Sequence, residues 1–161
     1  MAWAKNGTID SSTADTTTTL TFTADTVFNT LMTHSIIQTS WAQFQGQLNG
    51  DTGTNYASRY SINGGADGTE TSNANMYQDG VAGLSDQFKI MYLINISAEE
   101  KLVIGFMISR STAGAGTAPS RTEFVNKWVT TGQQASSFSQ VRDLGTGTLT
   151  TDSNLSALGT D

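Results

Sequence analysis

One histidine, no cysteine and a scatter of loop carboxylates are all this chain offers to chemistry. A serine-histidine-aspartate triad would have to be built on His34, with an activated serine and a carboxylate beside it. No Gly-x-Ser-x-Gly elbow is present, and His34 falls in a β-patterned segment on the same side as Phe28, Met32 and Ile36. A structural or interface histidine is the expectation. Asp67 with Glu70, and Glu99 with Glu100, are the carboxylate pairs nearest in sequence. Glycosidases hold their two carboxyls across a cleft, and short loops leave little material for one. Asp51, Asp67 and Asp79 lie in glycine-bearing loops, where an oxygen-liganded cation such as calcium would bind. Neither EF-hand nor nonapeptide spacing accompanies them, so these three are weak metal candidates beside ordinary turn chemistry. Gly64-Gly65 and Gly114-Ala115-Gly116 lack the lysine and following helix of a phosphate loop. No cofactor and no enzymatic activity are expected.

The remaining candidates are surfaces. Arg59, Arg110, Arg121 and Arg142 are half of the eight cations. Each reads either as a sheet-surface ion pair or as an interface anchor, since arginine and tyrosine are enriched at interface hot spots. Tyr56, Tyr60 and Tyr77, with Trp41, read either as packing residues or as an aromatic platform for a glycan. Trp41, Gln43, Gln45 and Gln47 share one side of a strand whose other side carries Phe44. The glutamines could hydrogen-bond across a subunit contact without charge neutralisation. Trp41, Gln43, Gln45 and Arg59 are therefore the expected interface residues.

The elements that must position these groups are strands. Residues 49–69, NGDTGTNYASRYSINGGADGT, are a turn, an alternating strand and a second turn rich in Asn-Gly chemistry. β-Patterned segments cover residues 3–9, 16–23, 27–37, 39–48 and 56–62. Residues 67–85 read as a long surface loop with a short strand near Met76 and Tyr77. The strongest pattern follows. Phe88, Ile90, Tyr92, Ile94 and Ile96 line one face of a strand, with Met91 and Leu93 on the other. Leu102, Ile104, Phe106 and Ile108 line one face of the return strand. This reads as a buried central hairpin forming the heart of the core. Residues 111–120 are a small-residue loop. Segments 124–129, 136–144 and 149–158 complete about ten strands, spaced as in a sandwich or barrel. Ser120 and Glu123 have capping-box spacing, so a helical turn there and a coincidence in a loop stay equally open. The fold class is all-β, a single antiparallel β-sandwich of jelly-roll type over residues 1–161.

Composition narrows the setting. Of 161 residues, 14% are charged and 37% hydrophobic, and the net charge is −6. Free cytosolic monomers normally keep a more charged surface, so the chain suits an assembly or an extracellular setting. No basic cluster exists, which argues against nucleic acid. Without cysteine there is neither a disulfide framework nor a thiolate zinc site. No secretory h-region and no membrane-length apolar run are visible. A protein of extracellular character without a signal fits one made in a host cytoplasm and released by lysis, as virion proteins are.

The blocks MAWAKNG, NGDTGTNYASRYSINGGADGT, EEKLVIGF and GAGTAPSRTEFVNKWV together resemble small virion surface proteins of marine tailed phages. The resemblance runs from Met1 to about Gly159. It departs at residues 27–47, where a more basic, conventionally amphipathic pair of strands belongs. It implies a head-decoration, spike or fibre-type component on the virion exterior. Its partners would be its own copies, a major capsid or tail protein, and a cell-surface glycan if it is a fibre tip. By analogy with viral jelly rolls, a trimer is the favoured oligomer. The alternative reading is a carbohydrate-binding module.

Overall fold

Turn residues at positive φ and alternating strands build this molecule, seen here in a computed structural model that describes residues 2–12, 14–23, 26–80, 86–110 and 114–160. The strands are β1 (Ala4–Asp10), β2 (Thr17–Thr21), β3 (Phe28–Gln38), β4 (Ala42–Leu48), β5 (Tyr56–Ile62) and β6 (Gly68–Asn73). They continue with β7 (Asp86–Ile94), β8 (Lys101–Ser109), β9 (Ser120–Trp128), β10 (Ser137–Gly145), β11 (Thr148–Leu149) and β12 (Asn154–Thr160). The larger sheet runs β1-β12-β3-β7-β8-β9-β5-β6, with β11 also on β3. The smaller runs β2-β10-β4. All pairings are antiparallel. The two sheets pack face to face, so the expected all-β antiparallel sandwich is present.

The turn chemistry behaves as its residues require. Asn63 and Gly64 both take positive φ, 52° and 74°, and the Gly65 amide donates to the Ile62 carbonyl at 2.9 Å. Two successive left-handed residues make a tight turn, and this one opens the residue 63–67 connection from β5 to β6. Asn49 and Gly50 do the same after β4, at 52° and 64°. There the Asn49 side-chain oxygen also accepts from the Ser136 amide at 2.8 Å and pins the start of β10.

The core lies between the sheets. Leu20, Leu48 and Phe138 on the small sheet meet Leu31, Met91, Leu93, Val103, Met107, Phe124, Trp128 and Leu155 on the large one. A second, smaller cluster joins Ile37, Ala42, Phe44 and Leu149.

Three expectations change. The stretch expected as a surface loop contains β6, and Met76 bridges to Gly46; its residues 81–85 lie outside the described residues. Ser120–Trp128 is strand throughout, so the helical turn is not formed. Pairing with β8 on one side and β5 on the other claims the backbone groups a helix would need. The largest change concerns the central hairpin. It is central, but its face of Phe88, Tyr92, Ile94, Leu102, Ile104, Phe106 and Ile108 points away from the small sheet and is exposed, as is Ile96 beyond β7.

Candidate functional site

Alternation along β7 and β8 decides what each face presents. Inward go Gln87, Lys89, Met91 and Leu93, then Lys101, Val103, Gly105, Met107 and Ser109. Outward go Phe88, Ile90, Tyr92 and Ile94, then Leu102, Ile104, Phe106 and Ile108. Register aligns the outward rows, with Phe88 opposite Ile108, Ile90 opposite Phe106, Tyr92 opposite Ile104 and Ile94 opposite Leu102. β9 adds Val125 beside Ile104. β3 adds Phe28 beside Ile94 and the half-buried Met32 beside Ile90.

Phe28, Phe88, Tyr92, Ile94, Leu102, Ile104, Phe106, Ile108 and Val125 are each 40–51% exposed. At roughly 200 Å² for a large apolar side chain, they leave on the order of 800 Å² of contiguous apolar surface. The largest patch on a typical monomer is about 300–600 Å² and is often functional. Side chains of β5 and β6 form one wall beside this face, enclosing a groove of about 770 Å³ floored by Ile94, Leu102, Ile104 and Val125.

The rim is polar, and its four cations are paired within the chain. Arg59 pairs with Asp67 at 3.3 Å, Arg110 with Asp86 at 2.9 Å, Arg121 with Glu123 at 3.7 Å and Lys127 with Glu100 at 3.0 Å. These are the salt bridges found among the described residues, and all four lie around this face. Exposed pairs of this kind add little stability. Their effect here is to leave no cation in excess; Glu70 on the groove wall bonds the Asn73 side chain and is in none of these salt bridges.

The inward face explains why the hairpin turns this way. Lys89 is fully buried, donates to the Phe44 carbonyl at 2.7 Å and feels the Asp79 carboxylate. Desolvation outweighs that attraction and lowers its pKa to about 8. Lys101 donates to the carbonyls of Glu99 at 2.6 Å and Thr130 at 3.1 Å, and lies over the Trp128 ring. Burial pushes its pKa down as well. Gly105 sits under Phe124, where a Cβ would come within 2.6 Å of the ring. The two ammonium groups thus find acceptors inside, whereas Gln87 Oε1 and Ser109 Oγ are buried without a hydrogen-bond partner; the small glycine admits an aromatic neighbour.

The sequence-predicted site residues are dispersed. His34 is exposed on the outward side of β3, opposite Phe88. Asp51 accepts from Trp128 Nε1 at 2.7 Å, Asn55 Nδ2 at 2.9 Å and the Gly53 amide at 2.8 Å. Burial alone would raise its pKa, but these hydrogen bonds outweigh it and hold the carboxyl below its ordinary value. Asp67 is at the surface with Arg59. Asp79 is buried and accepts from Gln87 Nε2 at 2.8 Å and the Phe44 amide at 3.3 Å. The three carboxylates do not converge, and no three of His, Asp and Glu group as a metal cage would need among the described residues.

Tyr56 is buried, stacks on Trp128 at 6.5 Å and accepts from the Leu48 amide at 2.9 Å. Burial drives its pKa well up. It is therefore a core residue and not part of a ligand platform. Tyr60 and Tyr77 stack on each other at 3.6 Å, each covering one ring face of its neighbour.

Of the expected interface residues, Trp41 is exposed just before β4, while Phe44 is buried, as the opposite-face argument required. Gln43 is half-buried. Gln45 is buried within the chain, where its Oε1 accepts from the Gln78 amide at 2.6 Å, so it is not available to a neighbour. Segment 74–80 runs along the edge of β4, where Met76 and Gly46 exchange backbone hydrogen bonds at 2.8 and 3.1 Å. Arg59 stands on the groove wall.

The outward apolar face is the feature that sequence reasoning assigned to the wrong side. Its signal was present, because Met91, Leu93, Val103 and Met107 offer a second apolar row on the other face and only one face can meet the small sheet. The chain matches no protein-family model, and comparisons with curated proteins and with solved structures find no match.

Proposed function

We propose that this chain is a non-enzymatic structural component of an assembly, carried on the exterior of a phage particle as a decoration, spike or fibre protein. It is made in the host cytoplasm, associates with its own copies and attaches to a major capsid or tail protein. A trimer is the order expected by analogy with viral jelly rolls. The observation that carries this reading is the outward apolar face of β3, β7, β8 and β9. A surface of that size with a polar rim has the anatomy of a protein interface. The dispersal of His34 and the loop carboxylates gives no catalytic arrangement to set against it. A carbohydrate-binding module would need an open aromatic platform, and Tyr56 is withdrawn into the core.

Mixing the purified chain with particles that lack it, followed by particle reconstruction, tests the reading. Ordered density for the chain on the particle exterior is expected. Saturable binding to a glycan by a chain that never joins a particle would replace it with the carbohydrate module.

A further inference from the structure

We infer that the outward face of β7, β8 and β9 is the surface through which copies of this chain pack on one another. This rests on the assembly reading above and names the contact within it.

Size is the first argument. The exposed apolar area is on the order of 800 Å², which is about what each partner contributes to a stable interface of standard size. A second copy turning the same face inward covers it.

Charge is the second. Every salt bridge at the rim is already closed within the chain. A nucleic acid or an anionic lipid surface calls for unpaired cations around the contact. A contact between copies, about a two-fold or a three-fold axis, instead sets parts of one face against the same face. It needs an uncharged centre and a rim whose charges are mostly paired. Tyr92, Ile104 and Val125 provide that centre; of the charged residues lining the groove, Arg59 and Lys127 are in salt bridges and Glu70 bonds the Asn73 side chain.

Pairing is the third. β7 and β8 are hydrogen-bonded to neighbours on both sides. Nothing there invites an added strand, so the partner must match side chains. Tyr92 and Phe106 are large anchors of the kind that dominate such contacts.

Sedimentation velocity over about 1–100 μM, which detects association with a micromolar or tighter Kd, tests the inference. The proteins are wild type, Ile104→Glu and Trp41→Ala, each checked for strand circular dichroism. The expected result is an oligomeric wild type and an Ile104→Glu chain that is folded and sediments at the 17.1 kDa of one chain. Self-association should weaken at least ~100-fold in that variant, since a buried charge has no partner there, while Trp41→Ala assembles as wild type does. If Ile104→Glu fails to fold, Ile104→Ser and Ile108→Ser take its place. Weakening of ~10-fold or more in either supports the face, and no change in both overturns it. An oligomer indifferent to Ile104→Glu, or one lost only in Trp41→Ala, removes this face and leaves the assembly reading standing. A wild type that is monomeric throughout overturns the inference, as does a monomer that floats with uncharged phosphatidylcholine vesicles. Attachment to a different particle protein is then judged by the reconstruction alone.

Discussion

Raising the pH from about 7 to about 10 is expected to stabilise this protein, and Lys89 is the reason. The side chain is fully buried, and its pKa is lowered from 10.5 to about 8. The unfolded chain therefore binds this proton more tightly than the folded one. Below the folded pKa the penalty for burying the ammonium is present in full. It is relieved as the pH rises from about 8 toward the unfolded value, because the folded lysine is then neutral while the unfolded one still holds its proton. One proton changes stability by at most about 1.4 kcal/mol per pH unit. Integrated over the window, the gain is on the order of 2 kcal/mol by pH 10. Lys101, also lowered by burial, acts with the same sign. Tyr56 and Tyr77 act oppositely. Burial raises both, so the folded state keeps protons that the unfolded state sheds above about pH 10, and stability falls there. The profile should rise from about 8, peak near 10 and then decline. Urea unfolding followed by circular dichroism at fixed protein concentration and stepped pH reads this directly. Lys89→Met should flatten most of the rise. A wild-type stability that is level or falling between pH 8 and 10 would refute the argument, and so would an unchanged slope in Lys89→Met.

Three further outcomes follow from the same packing. Leu93→Ala removes a fully buried side chain and should cost about 2–5 kcal/mol in chemical denaturation. In the dissociated chain, Ile104→Ala should cost under about 1 kcal/mol, because its side chain faces solvent there; equal losses at the two sites would place the core on the wrong side of β8. Asp51→Ala strips Trp128 Nε1 and Asn55 Nδ2 of their acceptor and should cost about 1–3 kcal/mol, seen as a lower urea midpoint at unchanged slope. EDTA should leave the melting temperature within a few degrees; a drop of about ten degrees or more, restored by calcium, would show that metal binding stabilises the native state.

Strand content was legible because the local signals agree. The two Asn-Gly turns, the threonine-rich β2 and the alternation through β5, β7 and β8 all specify extended chain, and those elements formed. β6 was not legible. Gly68–Asn73 carries no apolar alternation, and its strand conformation is set by pairing with β5 across the Asn63-Gly64 turn. That is a tertiary cause with no local residue to announce it. Gln45 was misread for a related reason. Alternation sent it to the side of β4 opposite Phe44, but nothing in residues 42–48 reveals that segment 74–80 runs along the strand's edge and takes the Gln45 side-chain oxygen as an acceptor. Asp51 looked like a possible cation ligand because a carboxylate in a glycine turn is a candidate anywhere. Its partner Trp128 lies 77 positions away.

The misplaced face of the central hairpin has the most physical content. Counting hydrophobic side chains picks Phe88, Tyr92, Ile94, Ile104, Phe106 and Ile108 as the buried set, since the opposite rows hold Lys89, Lys101, Gln87 and Ser109. Burial is decided by which face the second sheet can approach. Gly105 opens room for the Phe124 ring, while Lys89 and Lys101 bring their own carbonyl acceptors inside. Those satisfied polar groups make the inward face compatible with a core despite its composition. The richer apolar face is then left to solvent, at a cost that scales with its area. A chain with only 14% charged residues has little else with which to keep such a face soluble. The proposed contact with another copy would relieve that cost and give the low surface charge a use. The expectation that this row lies in the core does not hold for the folded chain; the proposed contact between copies would bury it by association and not by folding.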